Sequence, residues 1–197
     1  MVISKSFYLR EDTLAIAKEL LGKYVFTNID GIITGGMIVE TEAYMGVTDA
    51  SCHTFNNRKS VKNATMYEQG GVAYMYICYG IHDMLNLVTG PMGKSHVVLI
   101  RAVEPTDGVE KMIERRGNFP VKKLANGPGS LAKALGLNKS FDKESLNSER
   151  LWLEDKGLIL VESEIKITPR IGINCPEPFL TAPWRFLISG NTFVSRK

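Results

Sequence analysis

The run Tyr24-Val25-Phe26-Thr27-Asn28-Ile29-Asp30-Gly31-Ile32-Ile33-Thr34 decides the fold class. Residues of high β propensity flank an Asp-Gly pair, the combination that a tight hairpin with two positive-φ residues demands. Tyr24 to Ile29 therefore reads as one strand and Ile32 onward as its antiparallel partner. Gly35-Gly36 then marks a bulge before the strand Met37–Tyr44. On the N-terminal side, Glu11-Asp12-Thr13 offers capping chemistry. Leu14, Ala17, Leu20 and Leu21 follow at helical spacing, and Gly22 ends the helix.

Further along, Val72–Cys78 and Asp83–Val88 read as a second strand pair, with Tyr79-Gly80-Ile81-His82 at the turn. Val97–Val103 has the look of a buried strand, and Val109–Arg116 and Ser130–Leu137 carry helical patterns. Leu158–Val161, Ile165–Ile167 and Trp184–Ile188 read as short strands near the C-terminus. There is no linker, repeat or low-complexity segment. The expectation is an α+β fold, one mixed domain over residues 1–197 built on an antiparallel or mixed sheet.

A chain of 197 residues can bury about 70% of its unfolded surface without staples. No apolar run approaches the roughly 18 residues of a membrane span, and the N-terminus lacks the apolar core of a secretion signal. Three cysteines, an odd number without a CxxC, argue for a reducing compartment, so a cytoplasmic location is expected. Cys52-His53 with two scattered histidines falls short of zinc-ligand spacing. The net charge of +3 permits a phosphate-binding face without demonstrating one.

The chemistry concentrates around Ile38-Val39-Glu40-Thr41-Glu42-Ala43-Tyr44, His53 and Tyr76-Ile77-Cys78-Tyr79-Gly80. A strand points alternate residues to one face, so Glu40, Glu42 and Tyr44 project together, as do Tyr74, Tyr76 and Cys78. Spacing alone favours a solvated strand face for the glutamates. The sharper reading makes Glu42 a general base that holds water and stabilises an oxocarbenium-like sugar. Pleat geometry does not choose between Glu40 and Glu42. Tyr44, Tyr76 and His53 are candidate stacking plates, and plates beside a carboxylate suit a flat, electron-poor ring such as a damaged nucleobase. Tyr79, at a hairpin tip, could fill the gap left by an extruded nucleotide. Asn126-Gly127-Pro128-Gly129-Ser130 is a glycine-rich turn opening a helix, without the lysine of a P-loop.

Taken in order, these pieces resemble the alkyladenine DNA glycosylase family, the mammalian type of 3-methyladenine DNA glycosylase. The resemblance rests on Val39–Tyr44, His53, Tyr76–Gly80, Asn86, Leu99–Pro105, Asn126–Leu131, Arg170–Ile173 and Arg185-Phe186. It implies a curved sheet with a protruding β-hairpin, no metal, no organic cofactor and a monomer acting on double-stranded DNA with damaged purines. By resemblance Glu42 activates water, and Tyr44, His53 and Tyr76 wall the base. Tyr79 replaces the base in the stack, Asn86 opposes guanine, and Arg101 lies beside the pocket and the target backbone. His82 stands where the mammalian pattern has tyrosine. Two rival readings are a metal-dependent phosphodiesterase using Glu40, Glu42, Asp49 and His53, and a non-catalytic module that binds distorted DNA through the Tyr79 hairpin.

Overall fold

The computed structural model describes residues 1–195, so the last two positions of the expected domain lie outside the described residues. In chain order it contains α1 (Lys5–Tyr8), α2 (Thr13–Glu19), β1 (Tyr24–Ile29), β2 (Ile32–Tyr44), β3 (Ala73–Cys78), β4 (His82–Thr89) and β5 (His96–Asp107). There follow α3 (Val109–Arg116), α4 (Pro128–Leu135), β6 (Leu151–Glu154), β7 (Ile165–Thr168) and β8 (Arg185–Ile188).

The Asp30-Gly31 hairpin forms as its sequence demands. Both turn residues have positive φ, 54° and 79°, and Ile29 pairs with Ile32. Every strand pair is antiparallel, in the order β3-β4-β5-β2-β1-β6. The 13-residue β2 is the spine of this sheet. β5 runs along one edge of it, while β1 takes the first half of the other edge and β8 the second half. β8 then carries β7.

Bulges shape the spine. The β2–β5 register slips at Gly35/Gly36, again between Ile38 and Glu40, and once more on the β5 side, where Arg101 is left unpaired. The expected Gly35-Gly36 irregularity thus lies inside one continuous strand. Both glycines are required by close approach: a Cβ on Gly36 would meet the Glu104 carbonyl oxygen at 2.4 Å.

Two faces of the sheet have different jobs. Ile38, Ala43, Leu85, Leu87, Val98 and Ile100 pack with Ile16, Ala17 and Leu20 around α2 and with Leu131 and Leu135 of α4. Each such Ile, Leu or Val side chain contributes roughly 1.5–3 kcal/mol on burial. Thr41 Oγ1 donates to the Ala17 carbonyl at 2.8 Å, tying the spine to α2. The opposite face of β3, β4, β5 and β2 carries the polar and aromatic residues considered below.

The structure departs from the sequence reading in places. Leu158–Val161 is not a strand, because it has no ladder partner and Ile159 stays 86% exposed. β6 and α1 are additional elements, and α4 begins two residues early because Pro128 supplies a helix-compatible φ at its first turn. The long Met45–Gly71 connection is organised by 3₁₀ turns at Gly46–Thr48, Phe55–Asn57 and Val61–Tyr67. No helix among the described residues is long and apolar enough to cross a membrane.

Gly36→Ala should overpack the β2–β5 contact and lower unfolding free energy by about 1–3 kcal/mol, measured by urea titration. A stability equal to wild type would show that the bulge can relax around a methyl group.

Candidate active site

Strand register assembles the site. Tyr74 pairs with Asn86, Asn86 with Leu99, Leu99 with Glu42, and Glu42 with Arg185. One row therefore crosses five strands, and Glu42 stands two strands from Asn86, about 10 Å at the backbone. Over this row opens a cavity of about 360 Å³, within the range of small-ligand sites. Tyr74, Tyr76, Asn86, Leu99 and Arg101 form its sheet side, His53 and Met66 come from the long connection, and Ile171–Asn174 closes another side.

Glu40 and Glu42 are both fully buried, so the solvated-face reading of these glutamates does not hold. They do share a face, and their partners separate them. Glu40 Oε1 accepts from Arg101 Nε and Arg185 Nε, each at 2.8 Å, and from Ser195 Oγ at 2.8 Å. Its Oε2 accepts from the Ser195 amide at 2.6 Å. Burial alone would raise the Glu40 carboxyl, but the Ser195 amide, Arg101 and Arg185 hold it below its ordinary value. Glu42 does not itself line the cavity, but the three residues that hold it do. Its Oε2 accepts from the Tyr44 hydroxyl at 2.9 Å, and its Oε1 from the Ile171 amide at 2.8 Å and Arg101 Nη1 at 3.1 Å. A carboxylate has about four acceptor positions, so three donors leave one, on Oε2.

The aromatic side follows from β3. Tyr74, Tyr76 and Cys78 all line the cavity, while Met75 turns into the core. The His53 ring lies 4.1 Å from Tyr76, tilted by 44°, and its Nδ1 is 3.1 Å from the Tyr74 hydroxyl. His53 is exposed along the cavity mouth, yet enough protein surrounds the ring for desolvation to lower its pKa. It is therefore neutral near pH 7. Tyr44 has its pKa raised by burial and by the charge of Glu42, so its hydroxyl remains a donor. Asn86 Nδ2 donates to the carbonyls of Tyr74 and Met84, both at 3.3 Å. Tyr79 stands at the hairpin tip with φ 51° and 88% exposure, followed by Gly80 with φ 75°.

A support not identified from sequence braces Tyr44 from outside the cavity. Arg170 Cζ lies 4.7 Å from the Tyr44 ring centroid and 4.7 Å from that of Trp184. Its guanidinium grips the Asp49 carboxylate with both Nη atoms, both side chains fully buried, and Nη1 also donates to the Ala43 carbonyl at 3.1 Å. Burial would raise the Asp49 carboxyl, but the hydrogen bonds and charge of Arg170 hold it low. In the sequence, Arg170-Ile171-Gly172-Ile173 carries a resemblance and no role. Its work is to place the Ile171 amide on Glu42 and the guanidinium behind Tyr44. Glu40, Glu42 and Asp49 are each engaged by arginine, and among the described residues no group of three or more His, Cys, Asp or Glu is arranged to hold a metal ion. The phosphodiesterase ligand set does not converge.

Residues 6–192 match the family model described as Methylpurine-DNA glycosylase (MPG). The chain belongs to that family. Relatives agree across nearly the whole length. A Chlamydia felis protein named "Putative 3-methyladenine DNA glycosylase" is 44% identical over 190 residues, 95% of this chain and 96% of its own. Proteins of the same name from Clostridium perfringens and Bacillus thuringiensis are 38% and 39% identical, covering 100% and 98% of both chains. Membership of the methylpurine-DNA glycosylase family makes this a DNA-repair hydrolase of the N-glycosidic bond, and the binding-only reading falls away.

Asp49→Asn leaves the Arg170 charge buried without its counter-ion and should cost about 3–5 kcal/mol at neutral pH. Because the folded Asp49 pKa lies below its ordinary 3.8, the native pair's contribution is present above that value and lost as pH falls through the folded pKa. The gap between wild type and variant should therefore narrow in acid, as read by denaturant titrations at stepped pH. A gap that widened in acid would contradict the ion-pair account.

Proposed function

We propose that this glycosylase extrudes an alkylated or deaminated purine from duplex DNA into the cavity and hydrolyses its N-glycosidic bond with a water activated by Glu42. The observation that carries the reading is the Glu42 carboxylate, fully buried directly behind the cavity lining, where its three donors are the lining residues Tyr44, Ile171 and Arg101 and one acceptor position on Oε2 is left over. A water donating to that position would be oriented by a carboxylate that Tyr44, Ile171 and Arg101 hold still.

In the step itself, the water oxygen bonds to C1′ as the bond to the base nitrogen breaks. The bonding pair leaves with the base, and the water proton passes to Glu42. The same carboxylate faces the positive charge that develops on the sugar. Products are the free base and an abasic site. A base alkylated at N3 or N7 carries positive charge, so Tyr44 and Tyr76 attract it by cation–π contact, and it departs neutral. Stacking supplies roughly 1–3 kcal/mol per base. This offsets much of the few kcal/mol that flipping costs, which is least at a weakly paired lesion. Tyr79, exposed at the tip of the β3–β4 hairpin, is placed to fill the gap in the stack. The shared name of the relatives points to 3-methyladenine as one substrate.

The test is single-turnover base release, in EDTA, from duplexes carrying 3-methyladenine, hypoxanthine or ethenoadenine. Glu42→Gln should lower release by at least about 10²-fold while lesion binding is kept. Near-normal release by Glu42→Gln would remove Glu42 from the chemistry. Among the described residues no lysine lines the cavity, so borohydride should trap no covalent enzyme–DNA adduct during turnover. A trapped adduct would instead identify an amine nucleophile.

A further inference from the structure

Among the described residues, β3 is the last strand at its end of the sheet, with only β4 beside it. Its outer edge would leave backbone groups without partners. The segment after α4 supplies them. Ala73 N–H donates to the Glu144 carbonyl, and the Lys143 amide donates to the Ala73 carbonyl, both at 2.8 Å. At Met75 the partners are side chains: the amide donates to Asp142 Oδ1 at 2.9 Å, and the carbonyl accepts from Lys139 Nζ at 2.8 Å.

Asp142 holds more than the strand. Its Oδ2 accepts from Thr65 Oγ1 at 2.9 Å and pairs with Lys139 Nζ at 3.0 Å. Thr65 lies in the Val61–Tyr67 turn, and its neighbour Met66 lines the cavity. Met75 is fully buried between Tyr74 and Tyr76, which point the other way into the cavity. Side chains alternate along a strand, so a shift of the Met75 backbone moves both tyrosines at once. It also moves His53, which rests on both. One carboxylate outside the cavity therefore sets the relative position of its strand wall and its loop wall.

We propose that Asp142 is a positioning residue for the aromatic wall, acting through the Met75 amide and the Thr65 hydroxyl, and that it sets how tightly the flipped base is held. Bond breaking, which depends on the β2 spine, is left nearly unchanged. The proposal rests on the reading of Tyr76 and His53 as base-stacking groups.

The experiment compares wild type, Asp142→Asn and Asp142→Ala on an ethenoadenine duplex and an undamaged duplex, below each protein's melting temperature. Asp142→Asn keeps one oxygen for the Met75 amide but cannot accept from Lys139. Half-saturating enzyme concentration for single-turnover release should rise about tenfold in Asp142→Ala and by a smaller factor in Asp142→Asn, the loss expected of about one hydrogen bond. The rate at saturation should change less than about twofold, the pattern of lost binding rather than lost transition-state contacts. Affinity for undamaged duplex should not move. A fall in the saturating rate with unchanged half-saturation, or equal weakening on both duplexes, would overturn the assignment. If Asp142→Ala does not fold, Asp142→Asn and Thr65→Val decide the matter by the same split. Lesion-minus-undamaged affinity in the Glu42→Gln background reads the wall without any chemistry. Near-normal base release in the Glu42→Gln background, with this affinity split kept, would refute the Glu42 reading and support the Asp142 one.

Discussion

Two carboxylates on one dry strand face cannot stand without cations, and Arg101 is the group that lets them. Removing an isolated carboxylate from water costs several kcal/mol even after relaxation. Glu40 and Glu42 are both fully buried. Arg101 reaches Glu40 through Nε and Glu42 through Nη1, and Arg185 adds a second positive charge on the Glu40 side. The register slip that leaves Arg101 unpaired on β5 lies beside Glu40, so the bulge and the ion cluster are one feature. The guanidinium is planar and forked, so engaging Glu40 with one edge also fixes the direction in which it meets Glu42.

This arrangement divides the glutamates by role. Glu40 is saturated by two arginines and Ser195, and it works as a counter-ion that holds Arg101. Glu42 takes only one nitrogen of Arg101, with a hydroxyl and an amide as its other donors, and so keeps one acceptor position on Oε2. Sequence spacing could not separate the two, because alternation puts them on the same face. The deciding partners come from Arg185, Ser195 and Ile171, more than a hundred residues away along the chain.

What could be read in advance was local. The Asp30-Gly31 hairpin, the alternation of Tyr74, Tyr76 and Cys78, and the helices after Asp12 and around Val109–Arg116 each follow from residues within one element. The resemblance added Asn86 and Arg101, and both line one cavity with His53, which the residues alone offer as a plate. Leu158–Val161 misled because an apolar run says nothing about whether a ladder partner exists. The Arg170–Asp49 clamp and the Asp142 junction were illegible for the same reason. Each is made by a charged residue whose partner is distant in sequence, and a lone Asp or Arg in a polar stretch looks like solvated surface.

The cavity is therefore built from parts of unequal stiffness. Its chemical wall stands on β2, flanked on both edges, bulged to fit β5 and pinned to α2 by Thr41. Its aromatic wall stands on β3, flanked on one edge by β4 and on the other by a short segment and two side chains. A water-activating carboxylate gains from rigidity, since small misplacements of reacting atoms cost large factors in rate. A wall that must accept purines of differing shape gains from a looser mounting. In the proposed reaction, a carboxylate on the spine and stacking groups on the edge let base fit vary without moving Glu42. The long hairpin that carries Tyr79 grows from the same edge strand, so under the proposed insertion of Tyr79 contact with DNA is felt first by the aromatic wall.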